Sequence, residues 1–156
     1  MAATATATPE TKMKIRKARR NDAERLAQLS GELGYPATGA QIAKRLRQLT
    51  PVSKHGVFVA ESLEPGNGIV GWVHVSLANL LESEMRAEVN GLIVAEGQRS
   101  LGAGAKLLQA AEEWARRRGC AGMNVRSNVI RERAHGFYER NGYEHYKTQK
   151  AFRKPL

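Results

Sequence analysis

Acidic residues are in short supply in this sequence: 15 Asp and Glu stand against 25 Lys and Arg, a formal charge of +10 over 156 residues. So basic a balance favours an anionic partner, whether nucleic acid, an anionic membrane surface or a phosphorylated small molecule. There is a single cysteine, Cys120, which excludes an internal disulfide and fits a reducing cytoplasm. His55, His74, His135 and His145 show no ligand spacing with each other or with Cys120, so no metal site is expected. No apolar run approaches the ~18 residues of a membrane helix, and no signal-peptide core is visible. Aromatic residues make up only 6%, and none interleave with a basic cluster as in nucleic-acid modules.

What is present is the material of one mixed domain. Residues 1–11, "MAATATATPET", are low-complexity and nearly uncharged, and are expected to stay disordered. An organelle transit peptide would need an amphipathic Arg-rich helix, which they do not show. "MKIRKA" alternates Met13 and Ile15 with Lys14 and Arg16, the mark of a first strand. "NDAERLAQLSGELG" predicts a helix capped by Asn21 or Asp22, with Leu26, Leu29 and Leu33 on one face and a stop at Gly34. "TGAQIAKRLRQL" carries Thr38 and Gln41 at capping-box spacing ahead of a stripe of Ile42, Leu46 and Leu49. "GVFVAES" and "GIVGWVHVSLA" read as strands joined by the turn "LEPGNG", and "AEVNGLIV" as the next strand. A helix over 102–118, a strand "GMNVRS" and a helix "RERAHGFYERNG" follow. "GYEHYKTQKAFRK" is expected to close the chain as one or two strands. The order is that of a mixed α/β or α+β fold with an antiparallel middle.

The informative stretch is "QRSLGAGAKLLQAAEEWARRRG", from Gln98 to Gly119. Leu101, Ala105, Leu108, Ala111 and Ala115 recur at helical spacing, Arg116–Arg118 lie at the negative end, and Gly119 suits the C′ position. Glycines at 102 and 104 therefore stand where this helix begins. A dinucleotide fingerprint needs a third glycine at 107, which is Leu, and a P-loop needs Gly-Lys-Ser/Thr. Two readings remain. Either the glycines make a tight turn into a packed helix, or they clear the way for an anion to reach the unpaired N–H groups and positive dipole end, with Arg99 at the entrance.

"LIVAEGQRSLGAGAKLL", followed some thirty residues on by "AHGFYERNGY", resembles the GNAT superfamily of acetyl-CoA-dependent N-acyltransferases. That family's motif, Arg/Gln-x-x-Gly-x-Gly/Ala after a strand, is met by Arg99 to Gly104, and the resemblance spans roughly residues 13–150. It implies a single-domain GNAT-type fold over 13–156 behind a tail of 1–12, with a mostly antiparallel sheet whose strands 4 and 5 splay, flanked by helices. It implies further that the backbone of Ser100, Leu101, Gly102, Ala103, Gly104 and Ala105 holds the pyrophosphate of coenzyme A. The strand Leu92, Ile93, Val94 would pair its main chain with the pantetheine arm. Gly91 is a local sign of the break in that strand. Many members carry proline at the place of Glu96 and glycine at that of Ser100. Many carry a cofactor-contacting asparagine at that of Arg131; here Arg131 would reach the phosphates or Asn128 would supply the amide.

Moving an acetyl group from a thioester to an amine needs a neutral amine, a stabilised carbonyl oxygen and a protonated leaving thiolate. The resemblance places Tyr138 as the acid; on residues alone, Phe137 and Tyr138 also read as helix core. Glu88, four residues before Leu92, is the candidate base, as in some members, or else a solvent-facing strand carboxylate. His74 is the alternative base. The N–H of Leu92 or Ile93 would polarise the carbonyl. Trp72 and Trp114 read as core.

The expected activity is acetyl transfer from acetyl-CoA to a primary amine of a small molecule or peptide, without a metal. Glu82, Glu84 and Glu88 would attract a cationic acceptor, or form only a solvated acidic loop. "RSNVIRERAHGFYERNGY" and "KTQKAF" resemble the aminoglycoside-acetylating branch diffusely. The rival classes are a nucleic-acid-binding basic protein, which the spread of charge disfavours, and a non-catalytic acyl-CoA sensor. No membrane partner is expected, and a homodimer is left open.

Overall fold

In the computed structural model, which describes residues 12–49 and 53–156, the chain divides into two units, 1–125 and 126–156. The expectations for residues 1–11 lie outside the described residues.

The first unit is built on a five-stranded sheet in sequence order: β1 (Met13–Lys17), β2 (His55–Ser62), β3 (Ile69–Ala78), β4 (Arg86–Val94) and β5 (Met123–Val125). The first four run antiparallel, and β5 lies parallel to β4. Helices α1 (Ala23–Glu32) and α2 (Gly39–Leu49) cover one face. There Leu26, Leu29 and Leu46 pack with Val59, Ile69, Ile93 and Ala95, flanked by Ile42, Leu33 and Trp72. Helix α3 (Ala103–Arg117) lies on the other face, where the place of a Cβ on Gly71 is filled by Leu107 and that on Gly56 by Trp114. Leu29 and Leu107 are wholly buried, worth roughly 1.5–3 kcal/mol each.

The two helix starts that the sequence marked behave differently. Thr38 and Gln41 form the expected capping box: Thr38 Oγ1 accepts from Gln41 N–H at 3.1 Å and Gln41 Oε1 from Thr38 N–H at 3.0 Å. Asp22 does stand before α1, but its side chain makes no cap bond. Its carboxylate instead takes both Nη atoms of Arg16, at 2.8 and 3.0 Å, and the Arg19 N–H at 2.6 Å. Burial raises the Asp22 pKa, but these three donors outweigh it and hold the carboxyl below its usual range. Arg16 Nε also reaches Glu61 at 2.8 Å, so one guanidinium ties β1 to β2 and to the entry of α1.

A bulge divides β4. His74 pairs with Gly91 and Val75 with Val89, leaving Asn90 as the extra residue. Gly91 is needed there because Trp72 closes to 2.8 Å of where its Cβ would lie. The extra residue reverses the facing of the strand. Ala87 and Val89 point to the α3 side; beyond the bulge Ile93 points to the α1–α2 side and Val94, beside Gly71, to the α3 side. β5 pairs only from Ala87↔Met123 to Val89↔Val125, so from Asn90 onward β4 has a strand partner on the β3 side alone among the described residues.

The second unit holds α4 (Glu132–Arg140) and the residues around it. The one or two strands expected over 142–154 are not formed: residues 144–156 carry no helix or strand and are exposed. Period-2 alternation makes a segment fit for a strand, but a strand exists only against a partner edge.

Candidate functional site

The approach to α3 follows directly from the end of β4. After Val94 comes a 3-10 turn, Glu96–Gln98, then Arg99, whose Nε donates to Val94 O at 3.2 Å. Ser100 and Gly102 both take left-handed backbone conformations, with φ of 68° and 89°. Glycine adopts this readily; for serine it costs roughly 1–2 kcal/mol. Gly102 is the N-cap residue, and no side chain caps the helix. The first amide with a helical acceptor is Lys106 N–H, bonded to Gly102 O at 3.1 Å. The N–H groups of Ala103, Gly104 and Ala105 precede it and have no acceptor within the helix. A Cβ built on Gly102 would meet nothing within 4 Å. The bare turn thus fronts open space with the positive end of a 15-residue helix, a setting that fits a phosphate group. Leu101 lies outside the helix and is 40% exposed. The buried stripe is Ala103, Leu107, Leu108, Ala111, Trp114 and Ala115, not the expected run from Leu101 through Ala105.

Beside this turn, β4 offers main-chain groups. Ala95 N–H donates to Val70 O at 2.8 Å, and Gly71 stands opposite Val94. Antiparallel alternation then turns the N–H and C=O of Leu92 and Val94 away from β3, while those of Ile93 lie in the ladder. The Arg99 bond to Val94 O agrees. Of the two amides considered for the carbonyl, Leu92 is the one on the open edge.

Glu88 pairs with Ser76 and half-faces solvent. Strand parity sets His55, His74 and Ser76 on the same face of the sheet. His55 Nδ1 lies 3.1 Å from His74 Nε2, and Asn90 Nδ2 donates to Ser76 Oγ at 2.7 Å. Burial, helped by repulsion from His55, pushes the His74 pKa down to about 4. It is neutral at pH 7 and a weak base. The indole N–H of Trp72 is buried without a partner on this face. Of this polar row the sequence reading singled out only His74: period-2 alternation was a usable signal for His55 and Ser76 as well, but a one-residue bulge hides the phase of Asn90.

The second unit carries Asn128, Arg131 and Tyr138. Asn128 Oδ1 accepts the N–H of Ile130 at 3.2 Å, and its carbonyl takes Arg131 N–H at 2.9 Å and contacts His135 Nε2 at 2.9 Å. That carboxamide oxygen therefore shapes the loop into α4. Arg131 is exposed at the N-cap of α4. The "FYERNGY" motif is a helix with its stop signal: Gly142, at φ 89°, donates to Glu139 O and Tyr143 N–H to Tyr138 O at 3.0 Å. Tyr138 meets Phe137 and Tyr143 edge-on, with centroids 5.2 and 5.8 Å away. Burial raises its pKa to about 12, against a lowering by Arg131, so the phenol stays protonated throughout the neutral range. Among the described residues no His, Cys, Asp and Glu cluster could hold a metal, and no helix is long and apolar enough to cross a membrane.

With this geometry in place, the comparisons with known proteins converge. Residues 21–143 match the model of the Acetyltransferase (GNAT) family, and the chain belongs to that family. Its fold is similar to that of an aminoglycoside N-acetyltransferase in complex with CoA (TM-score 0.81, 17% identity, covering 96% of this chain and 100% of that one). It is also similar to glucosamine-6-phosphate N-acetyltransferase from Arabidopsis thaliana (0.77, 19%, 91% and 98%) and to a GNAT family acetyltransferase from Staphylococcus aureus (0.70, 23%, 92% and 98%). No curated protein matches the chain.

Proposed function

We propose that this GNAT acetyltransferase moves an acetyl group from acetyl-CoA to a primary amine of a small molecule or peptide, by direct attack while both substrates are bound. The observation that carries the reading is the start of α3: three N–H groups without helical acceptors, no side-chain cap, and open space beside Gly102. These features support a pyrophosphate held by the backbone of Ser100 to Ala105, with Arg99 as an added cation. The edge amides and carbonyls of Leu92 and Val94 suit the amide-bearing pantetheine arm, and Ile93 contributes by holding the strand in its ladder. Arg131 and Asn128 remain candidates for further contacts with the cofactor.

A lysine-like amine is only about one part in two thousand neutral at pH 7, so Glu88 is assigned to take its proton, directly or through water. As the C–N bond forms, the Leu92 N–H steadies the carbonyl oxygen. As the C–S bond breaks, Tyr138 donates to the departing thiolate and regains a proton from solvent, while Glu88, having passed the first amine proton to solvent, takes the second. The Tyr138 assignment rests on its motif and its protonated state.

The test is thiol release from acetyl-CoA across amines, peptides, aminosugars and aminoglycosides. Amine-dependent release is expected. Release that needs no amine, or no thermal stabilisation by acetyl-CoA, overturns the reading. Ligand at ~100 times Kd should stabilise the fold by about 2.7 kcal/mol. Tyr138→Phe is expected to lower turnover by about 10²–10⁴ with acetyl-CoA affinity nearly intact; an unchanged rate removes Tyr138 from its role.

A further inference from the structure

Arg86 opens β4, two residues before Glu88. Ala87 and Val89 face α3, so Arg86 and Glu88 project from the opposite face of the sheet, the side on which α1 and α2 pack. The guanidinium lies over Gly122, just before β5: a Cβ built there would come within 2.6 Å of Arg86 Nη1. A glycine thus makes room for an arginine that is half-buried. Within the first unit, among the described residues, Arg86 makes no ion pair and no side-chain hydrogen bond, although Glu82 and Glu84 precede it in the loop. Arg16, also half-buried, holds two carboxylates. A guanidinium drawn partly out of water without a counter-ion loses hydration that nothing in its unit replaces. The partner its planar fork suits is a carboxylate or phosphate brought from outside.

The same face carries the rest of a binding surface. Residues two apart on a strand have their side chains rooted about 6.6 Å from each other, so Arg86 and Glu88 set one cation beside one anion. The groups next to them are neutral: Ser76, opposite Glu88, takes Asn90 Nδ2 at 2.7 Å, and His74 is uncharged at pH 7. Glu82 and Glu84 lie out in the exposed loop. Among the described residues of this unit, Glu88 is the only strand carboxylate at this end of the face. A compound with several ammonium groups would therefore bring its surplus charges against Arg86. A compound with one amine and one anion finds a partner for each.

We propose that Arg86 determines specificity for the acceptor: it selects a small primary amine that also bears one phosphate or carboxylate, held with its amine toward Glu88 and its anion on the Arg86 guanidinium. The inference rests on the acetyl-transfer reading above and narrows its acceptor to anionic monoamines, against aminoglycosides and polyamines.

Thiol release from acetyl-CoA with matched acceptors tests this. The pairs are glucosamine with glucosamine 6-phosphate and β-alanine amide with β-alanine; spermidine and an aminoglycoside serve as polycations. In at least one pair the anionic member should exceed its neutral partner in kcat/KM by about 10-fold or more, chiefly through KM. Which pair responds distinguishes phosphate from carboxylate. Arg86→Gln should lower that ratio by about 10- to 100-fold, the loss of one or two hydrogen bonds to a charged group. Gly122→Ala crowds only the end of a flexible side chain, so it should fold and lower the ratio in the same direction by less, which tests the site even where Arg86→Gln does not fold. Amine-dependent release with no preference for either anionic member, a polycation as the best acceptor, or an Arg86→Gln chain that keeps the preference overturns the proposal and leaves the acetyl-transfer reading standing. Release that needs no amine removes both.

Discussion

Helix α2 starts behind Thr38 and Gln41, each of whose side chains takes the other's amide, while α3 starts behind Gly102 with no side chain at all. The far end of α3 is finished as completely as its near end is bare. Gly119, at φ 74°, donates to Arg116 O at 3.0 Å, and Cys120 N–H reaches back to Ala115 O at 3.1 Å. Arg118 adds bonds to Trp114 O and Ser53 O and stacks over the Trp114 ring at 4.0 Å. One chain therefore uses both solutions. Where a terminus serves only the fold, local residues satisfy it; the donors at the start of α3 are left bare, as the proposed pyrophosphate site requires.

This contrast can be broken experimentally, and the largest effect is expected at the bare end. Gly102→Val places a branched side chain in the left-handed region and in the space beside the free amides. It should weaken acetyl-CoA binding by about 10- to 100-fold, the loss of one or two bonds to a charged group, as read by calorimetric titration. Equal affinity would make the turn a structural device only. Gly119→Ala, at the finished end, should cost about 1 kcal/mol in urea unfolding and leave the acetyl-CoA Kd unchanged. Thr38→Ala should likewise cost about 1 kcal/mol of stability, again with no change in cofactor affinity; a change there would show that capping and binding are not separable. The smallest effect is expected for Ser100→Gly, which relieves the strained φ and should raise the melting temperature by a few degrees at most, while thiol-release kinetics hold.

The ease of reading these features from sequence follows how local they are. Thr38 with Gln41, Gly119 after Arg118, and Gly102 with Gly104 each act within one turn of chain, and their residue types declare the conformation. Leu101 was misread because it falls at the stripe's spacing yet precedes the helix, where the 3.6-residue period no longer sets a side chain's facing. The strands expected at 142–154 failed for a different cause: Tyr146, Thr148 and Phe152 alternate properly, but pairing is a property of two segments, and only one was legible. The choice of Leu92 over Ile93 depended on knowing the ladder opposite.

Asn90 has a consequence for which changes β4 can tolerate. The edge groups at Leu92 and Val94 are main-chain atoms, so side-chain substitutions there can leave the hydrogen-bonding pattern intact. Deleting Asn90 would bring Val89 and Gly91 into consecutive pairs with Val75 and His74, so Leu92 stays opposite Val73, Ile93 stays opposite Trp72, and neither changes face. An unbroken ladder that kept Asn90 is another matter: it would slip each later residue by one, carry Ile93 out of the core and turn the Leu92 amide inward toward β3. The facing of this edge is thus set by where the strand puts its surplus residue aside more than by which side chains follow it.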